Sequence, residues 1–403
     1  MLVRKNVLVS LLVITTVIAA GSTSAGAERE PVHRVASWGP SMTIGGPTFD
    51  DQTIRMVVHS SIAGTLPRIK VSNLRSTTPL AVGAVDVAEQ ASQATAVPGT
   101  HHAVTFSHAT ALTIPTGAEV LSDPVHMTVG AEENLLVSID LPQATTSATW
   151  HSDAFDTTYI SGPGNHTRDD GADNYPTATT SWYYLSGVEL TATQARGTVV
   201  TFGDSITDGY NTPIGAYATW PDDLARRLGG PHPLGVVNAG IGGNRVLTDV
   251  PNIWQGISAI KRFGHDALRQ PGVRDVILLE GINDIGNNAG PNGAPLTAQG
   301  LIEGYRNLID QAHAAGVRII GATMLPDFGN GYYSDSAEAI RQAANHWIRT
   351  SRAFDGVIDF DQVMRDPANP VALEPDFDAG DHLHPNAAGM QAMANAVNLR
   401  LLG

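Results

Sequence analysis

The chain contains no cysteine. Disulfides, a thiol nucleophile and a thiolate metal site are therefore all excluded, and stability has to come from burial. Basic residues are scarce too: 24 Lys and Arg stand against 39 Asp and Glu, a formal net charge of −15. That balance argues against nucleic acid and against anionic membrane surfaces as partners, and serves solubility. Past residue 27 no stretch is long and apolar enough for a transmembrane helix. Helical periodicity of useful length is missing from the first half as well.

What is present begins with a targeting pattern. Arg4 and Lys5 make a basic start, an apolar core runs from Val7 to Ala20, and small residues follow in Ala25-Gly-Ala27. A core of about 14 residues is short for a membrane span and suits an export signal, cleaved after about Ala27. Loss of Arg4 and Lys5 with it would take the net charge from −15 to −17. The expectation is a secreted protein with no stable membrane insertion. At 403 residues, 42% of them hydrophobic, the chain has room for two domains with sizeable cores.

Residues 28–194 read as an all-β accessory domain. Thr53–His59, Arg68–Ser72, Leu80–Val87, Ala103–Phe106 and Asn134–Asp140 are short strand-like runs. Turn signals at Ala63-Gly64, Pro98-Gly99, Thr116-Gly117 and Pro142 separate them, the spacing of a sandwich. Leu185–Leu190 makes a last strand. Between them Ser161–Asp173 is a polar, Gly-rich loop; Asp169, Asp170 and Asp173 offer oxygens that a Ca²⁺ would accept, in a spacing that matches no calcium loop.

From residue 198 to 403 strands and helices alternate. Strands are expected at Val199–Phe202, Gly235–Ala239, Asp275–Glu280, Arg318–Met324 and Val357–Phe360. Helices are expected at Trp220–Leu228, Ile253–Leu268, Thr297–Ala315, Ser336–Phe354 and Pro385–Leu401. Asp335 with Glu338 looks like the cap of the fourth helix and Gly356 like its stop. Five interleaved pairs imply a parallel sheet covered on both faces, a flavodoxin-like three-layer α/β/α domain.

In such a sheet the strand-to-helix loops emerge along one edge, where ligands bind. That edge carries Gly203-Asp204-Ser205, Asn238–Arg245, Glu280–Asp284 and Asp381-His-Leu-His-Pro385. A serine hydroxyl needs a base, and the base needs an orienting partner. His384 and Asp381 supply both within four residues, with His382 as a less favourable base. Pro385 would start the last helix and fix the approach of His384. An oxyanion needs preset donors, for which the Ser205 N–H, Gly243 and the Asn283 amide are candidates. Asp204 and Asp284 read as carboxylates that brace loops. Trp220, Tyr210, Tyr332 and Tyr333 are candidates for an acyl or sugar pocket, or for packing.

Together these four blocks resemble those of the SGNH/GDSL hydrolase superfamily, in order and across the whole C-terminal half. The resemblance implies a carboxylic ester hydrolase without cofactor or metal. Ser205 would be the nucleophile, Asp381 and His384 the rest of the triad, and Ser205, Gly243 and Asn283 the oxyanion hole. Counting from Asn238 selects Gly243 over Gly242. The segments Phe49–Arg55 and Lys70–Asn73 are similar to the β-rich domain of some secreted actinobacterial two-domain members. A polar, acidic, exported esterase suits deacetylation of polysaccharide; a lipase or lysophospholipase is the alternative. A rival of another class is a carbohydrate- or surface-binding protein with an inactive hydrolase half, against which the complete residue set speaks.

Overall fold

The computed structural model describes residues 33–403 apart from Asn252, and the export-signal reading falls outside that range. Residues 33 to 191 form two large antiparallel sheets, beside two small two-stranded ones. One orders Arg34–Trp38, Leu185–Thr191 and Gly64–Ser72. The other orders Thr158–Pro163, Gln52–His59, Asn134–Leu141 and Ala84–Ser92. Ile54, Met56 and Val58 from one sheet and Ile69, Val71, Val188 and Leu190 from the other share one core, which makes the sandwich. The expected strand Leu80–Val87 is split at Gly83, where any Cβ would lie 2.1 Å from an Asp140 carboxylate oxygen. Hydrogen-bonded register against Asn134–Leu141 starts afresh at Ala84.

The acidic loop is organised by a cation of the chain itself. Arg55 is fully buried, and its Nη2 donates to the carbonyls of His166, Thr167 and Asp169 at 2.8–3.2 Å. Asp169 accepts from His166 and Asn174, and Asp170 pairs with His101. Among the described residues no group of three or more metal-ligating side chains is gathered, here or elsewhere.

The second half is a parallel sheet of β1 (Gly197–Gly203), β2 (Leu234–Gly240), β3 (Val273–Leu279), β4 (Arg318–Ala322) and β5 (Gly356–Ile358), ordered β2-β1-β3-β4-β5. Every residue of β1 is buried, as a central strand with both faces covered requires. Val200 and Phe202 pack on one layer, Val199 on the other. Helices follow in order: α1 (Ser205–Asp208), α2 (Trp220–Arg227), α3 (Ala259–Asp266), α4 (Ile282–Gly286), α5 (Ala298–Ala314), α6 (Asp335–Thr350), α7 (Phe360–Met364) and α8 (Ala387–Ala396). The chain reverses direction across the sheet between β1 and β3, the point where crevices open in such folds.

Several element ends differ from the sequence expectation, each for a local reason. α6 is capped by Ser334, whose hydroxyl accepts from the Ala337 N–H; Glu338 turns inward to Arg341 instead. It ends at Thr350, and Gly356 opens β5 rather than stopping the helix. α3 starts at Ala259, since Ile253–Ile257 lie in a loop closed by Val250 and Gly256. α8 starts after Asn386, which caps the Gly389 N–H, so Pro385 precedes the helix.

The halves are packed together along β2, an edge strand that would otherwise expose its ladder. Gly235 is required there, because a Cβ would meet the Ala36 carbonyl at 2.2 Å. The Val236 N–H donates to Ser61 Oγ at 3.0 Å.

Two histidine pairs also join the halves. His151 Nε2 lies 3.0 Å from Asp208, and His265 sits between Glu119 at 2.8 Å and Asp266 at 2.7 Å. Burial opposes the His151 proton, yet the Asp208 charge and hydrogen bond outweigh it and push the ring up to about 9. Hydrogen bonds donated to Asp266 and Glu119 push His265 up to about 9 as well. A raised histidine stabilises fully below its ordinary value near 6.5, and the gain is lost as pH climbs through about 9. The melting temperature is therefore expected to fall between roughly pH 7 and 9.5. A His151→Gln/His265→Gln variant should melt lower at neutral pH but change little across that window. An equally steep fall in the variant would remove these pairs as the cause.

Candidate active site

The site grows from the end of β1. Gly203 has no room for a side chain, since a Cβ would lie 2.3 Å from both the Leu279 carbonyl and Thr207 Oγ1. Asp204 then caps α1, its carboxylate accepting the Ile206 N–H at 3.0 Å. This turn leaves Ser205 as the first helical residue, with its N–H ahead of the helix's own acceptors.

The Ser205 hydroxyl donates to His384 Nε2 at 2.8 Å, and His384 Nδ1 donates to Asp381 Oδ2 at 2.6 Å. The other carboxylate oxygen accepts the N–H groups of Leu383 at 3.0 Å and His384 at 2.8 Å. Asn211 Nδ2 donates to Oδ2 at 3.1 Å. Burial alone would raise the Asp381 carboxyl, but the amide and ring of His384 outweigh it and hold it below the usual range. The carboxylate thus stays charged at neutral pH and keeps the proton on Nδ1, so Nε2 presents a lone pair to the serine. His382 is directed elsewhere: its Nδ1 bonds Asp378 at 2.6 Å, and its φ of 62° turns the chain away.

Loop geometry separates the two glycines of the second block. Gly242 faces the β-rich half, where a Cβ would lie 3.2 Å from Asp153 Oδ2, and its φ is not left-handed. Gly243 has φ 73°, and among the described residues neither its N–H nor that of Ser205 has an acceptor. Asn283 donates to the carbonyl of Asn244, the residue after Gly243, at 3.0 Å. The third and second blocks are thereby joined by a direct bond.

Asp284 braces the loop as expected, accepting the N–H groups of Val246 at 2.7 Å and Leu247 at 3.0 Å. Burial is the main reason that Asp204 and Asp284 are pushed up to about 7. Raised carboxyls act in a lower pH window than the histidines: stability falls from about pH 4 to 7 and then levels.

Residues that the sequence did not single out hold this edge together. Arg262 of α3 is buried and donates to Gly203 O at 2.8 Å, Ala239 O at 2.8 Å and Asn244 Oδ1 at 2.8 Å. It thus grips the ends of β1 and β2 and the glycine loop at once. Ser41, His151 and Asp153 reach in from the β-rich half: Ser41 Oγ meets Arg262 at 3.1 Å, and Asp153 stands beside Gly242. A signal existed for Arg262, because 259, 262, 263 and 266 follow the helical spacing of a buried stripe.

The aromatic candidates divide. Trp220 is wholly buried against Phe360, in the core. Tyr210 stands 4.5 Å from the His384 ring with 44% of its surface exposed. Tyr332 contacts Asn283 and Tyr333 packs on Phe328. A separate cleft opens between the halves, walled by Trp38, His59, Trp182 and Tyr217; neither Ser205 nor His384 borders it.

Residues 201–392 match the GDSL-like lipase/acylhydrolase family. No curated protein matches the sequence. Solved structures that align with the chain include a GDSL-like lipase from Bacteroides thetaiotaomicron, at 21% identity over 51% of this chain and 88% of its own, with a TM-score of 0.39. A carbohydrate acetylesterase family member from Sinorhizobium meliloti aligns at 18% identity over 50% and 94%, TM-score 0.39. An aryl esterase from M. smegmatis aligns at 14% identity over 49% and 94%, TM-score 0.37. Over residues 201–392, therefore, the chain carries a GDSL-like lipase/acylhydrolase domain.

Proposed function

We propose that this chain is an exported serine esterase whose reaction is carried by Ser205, His384 and Asp381. The observation that supports it most is the unbroken pair of bonds, 2.8 Å from Ser205 to His384 and 2.6 Å from His384 to Asp381. His384 takes the hydroxyl proton as Ser205 Oγ attacks an ester carbonyl. The oxygen of the tetrahedral intermediate is met by the N–H groups of Ser205 and Gly243 and by the second N–H of the Asn283 amide, the one not given to the Asn244 carbonyl. His384 then passes its proton to the leaving alkoxide, leaving an acyl-enzyme. Water, deprotonated by the same ring, attacks the acyl carbonyl and frees the carboxylic acid.

For substrate, the reading is O-deacetylation of a carbohydrate. Tyr210, Trp254 and Phe328 are exposed aromatics on the loops that follow β1, β2 and β4, and such rings stack on sugar faces. A lipid ester is the second reading, favoured by the company of Ile214, 58% exposed on the same rim. Acetate release from acetylated xylan, set against fatty-acid release from a lysophospholipid, separates the two. Acetate release at least about tenfold faster per site is expected, a difference of about 1.4 kcal/mol in transition-state binding. Faster release of fatty acid would transfer the assignment to the lipid reading.

A further inference from the structure

We infer that Tyr332 is the positioning residue that sets the Asn283 amide for its place in the oxyanion hole, an inference that rests on the esterase reading above. A side-chain amide can sit in its pocket either way round, and only one orientation turns N–H groups toward the reacting oxygen. Here both ends of Asn283 are committed. Tyr332 Oη donates to Asn283 Oδ1 at 3.2 Å, while Asn283 Nδ2 donates to the Asn244 carbonyl at 3.0 Å. A flipped amide would bring an N–H against the Asn244 carbonyl no longer, and would face the hydroxyl and the carbonyl with the wrong partners. The second N–H of Nδ2 has no acceptor among the described residues.

The tyrosine is itself held in place. Its ring lies on the backbone of Gly286, where a Cβ would come within 2.1 Å of it. The Asn287 amide, 3.4 Å away, donates to Tyr332 Oη, which directs the hydroxyl proton to Asn283. The Tyr332 N–H donates to Asn330 Oδ1, and Asn330 Nδ2 donates to the Asp381 carbonyl at 2.8 Å. One loop after β4 therefore touches the amide on one side of the site and the triad carboxylate residue on the other. No other contact of the Tyr332 hydroxyl competes with this role among the described residues.

Tyr332→Phe keeps the ring on Gly286, and Asn287 keeps its bond to the main-chain carbonyl of Asn283 at 2.9 Å, so the variant should melt with the parent. Its kcat on p-nitrophenyl acetate is expected to fall about tenfold with KM unchanged, as a donor misplaced rather than deleted. Asn283→Ala should lose on the order of 10²-fold or more. Adding Tyr332→Phe to Asn283→Ala should cost nothing further, because the tyrosine acts only through the amide. Wild-type kcat in Tyr332→Phe, or the same fall in both backgrounds, would overturn the inference. An Asn283→Ala or Ser205→Ala variant with full activity would instead overturn the esterase reading beneath it.

Discussion

Ser205→Ala is expected to lower kcat on an acetate ester by about 10⁴-fold or more, leaving only what binding and the oxyanion donors supply. The loss should fall on kcat rather than KM, since the hydroxyl bonds to His384 and to no other side chain among the described residues. For the same reason the fold should be indifferent: no packing is lost when one oxygen leaves a residue only 8% exposed. Steady-state kinetics beside a thermal melt read both quantities. A variant that keeps a tenth of the activity would assign the chemistry to another residue.

The second large effect concerns stability. Arg262→Met is expected to destabilise the protein by about 3–5 kcal/mol, the range for a buried charge partner removed from its network. The guanidinium is 1% exposed and stands 3.4 Å from Asp266 and 3.5 Å from Glu280, over the face of Phe202. Burial, with the Asp204 charge added to it, already pushes Glu280 well above the usual carboxylate range. Without Arg262 it loses the cation that lowers it, and the carbonyls of Gly203 and Ala239 lose a donor each. Arg262→Lys should rescue little, because one ammonium cannot fork to three separated acceptors. Urea unfolding of both variants gives the answer; a loss below about 1 kcal/mol would show that the network relaxes around the gap.

Much of this site is legible in the sequence because it depends on local rules. An apolar run that stops at Gly203 ends a strand, and Asp381 three residues before His384 lets one loop orient its own base. Strand alternation then brings Ser205 and His384, 179 positions apart, to one edge without any pairing having to be known. Helix ends were less legible. Both Ser334 and Asp335 can cap, and the choice fell on whether Glu338 was free, which Arg341 decides from within the core. Least legible are the groups that act across the halves. His151 and Ser41 lie among strand residues with no periodic mark, and their partners Asp208 and Arg262 are set by sheet packing. Non-local polar contacts of that kind leave no spacing to read.

These cross-contacts also give the β-rich half a share in the site. His151 holds Asp208 at 3.0 Å, and Asp153 stands beside Gly242, one residue before the proposed donor Gly243. The rival reading of a binding protein with a spent hydrolase half has no need of such bracing.

An activated serine is tested most directly by a reagent that resembles the tetrahedral intermediate and traps it. A p-nitrophenyl alkylphosphonate, followed by peptide mapping in a mass spectrometer, is expected to leave one adduct per chain, on Ser205, in step with the loss of esterase activity. An adduct on any other residue, or full inactivation with Ser205 unmodified, would contradict the role given to it.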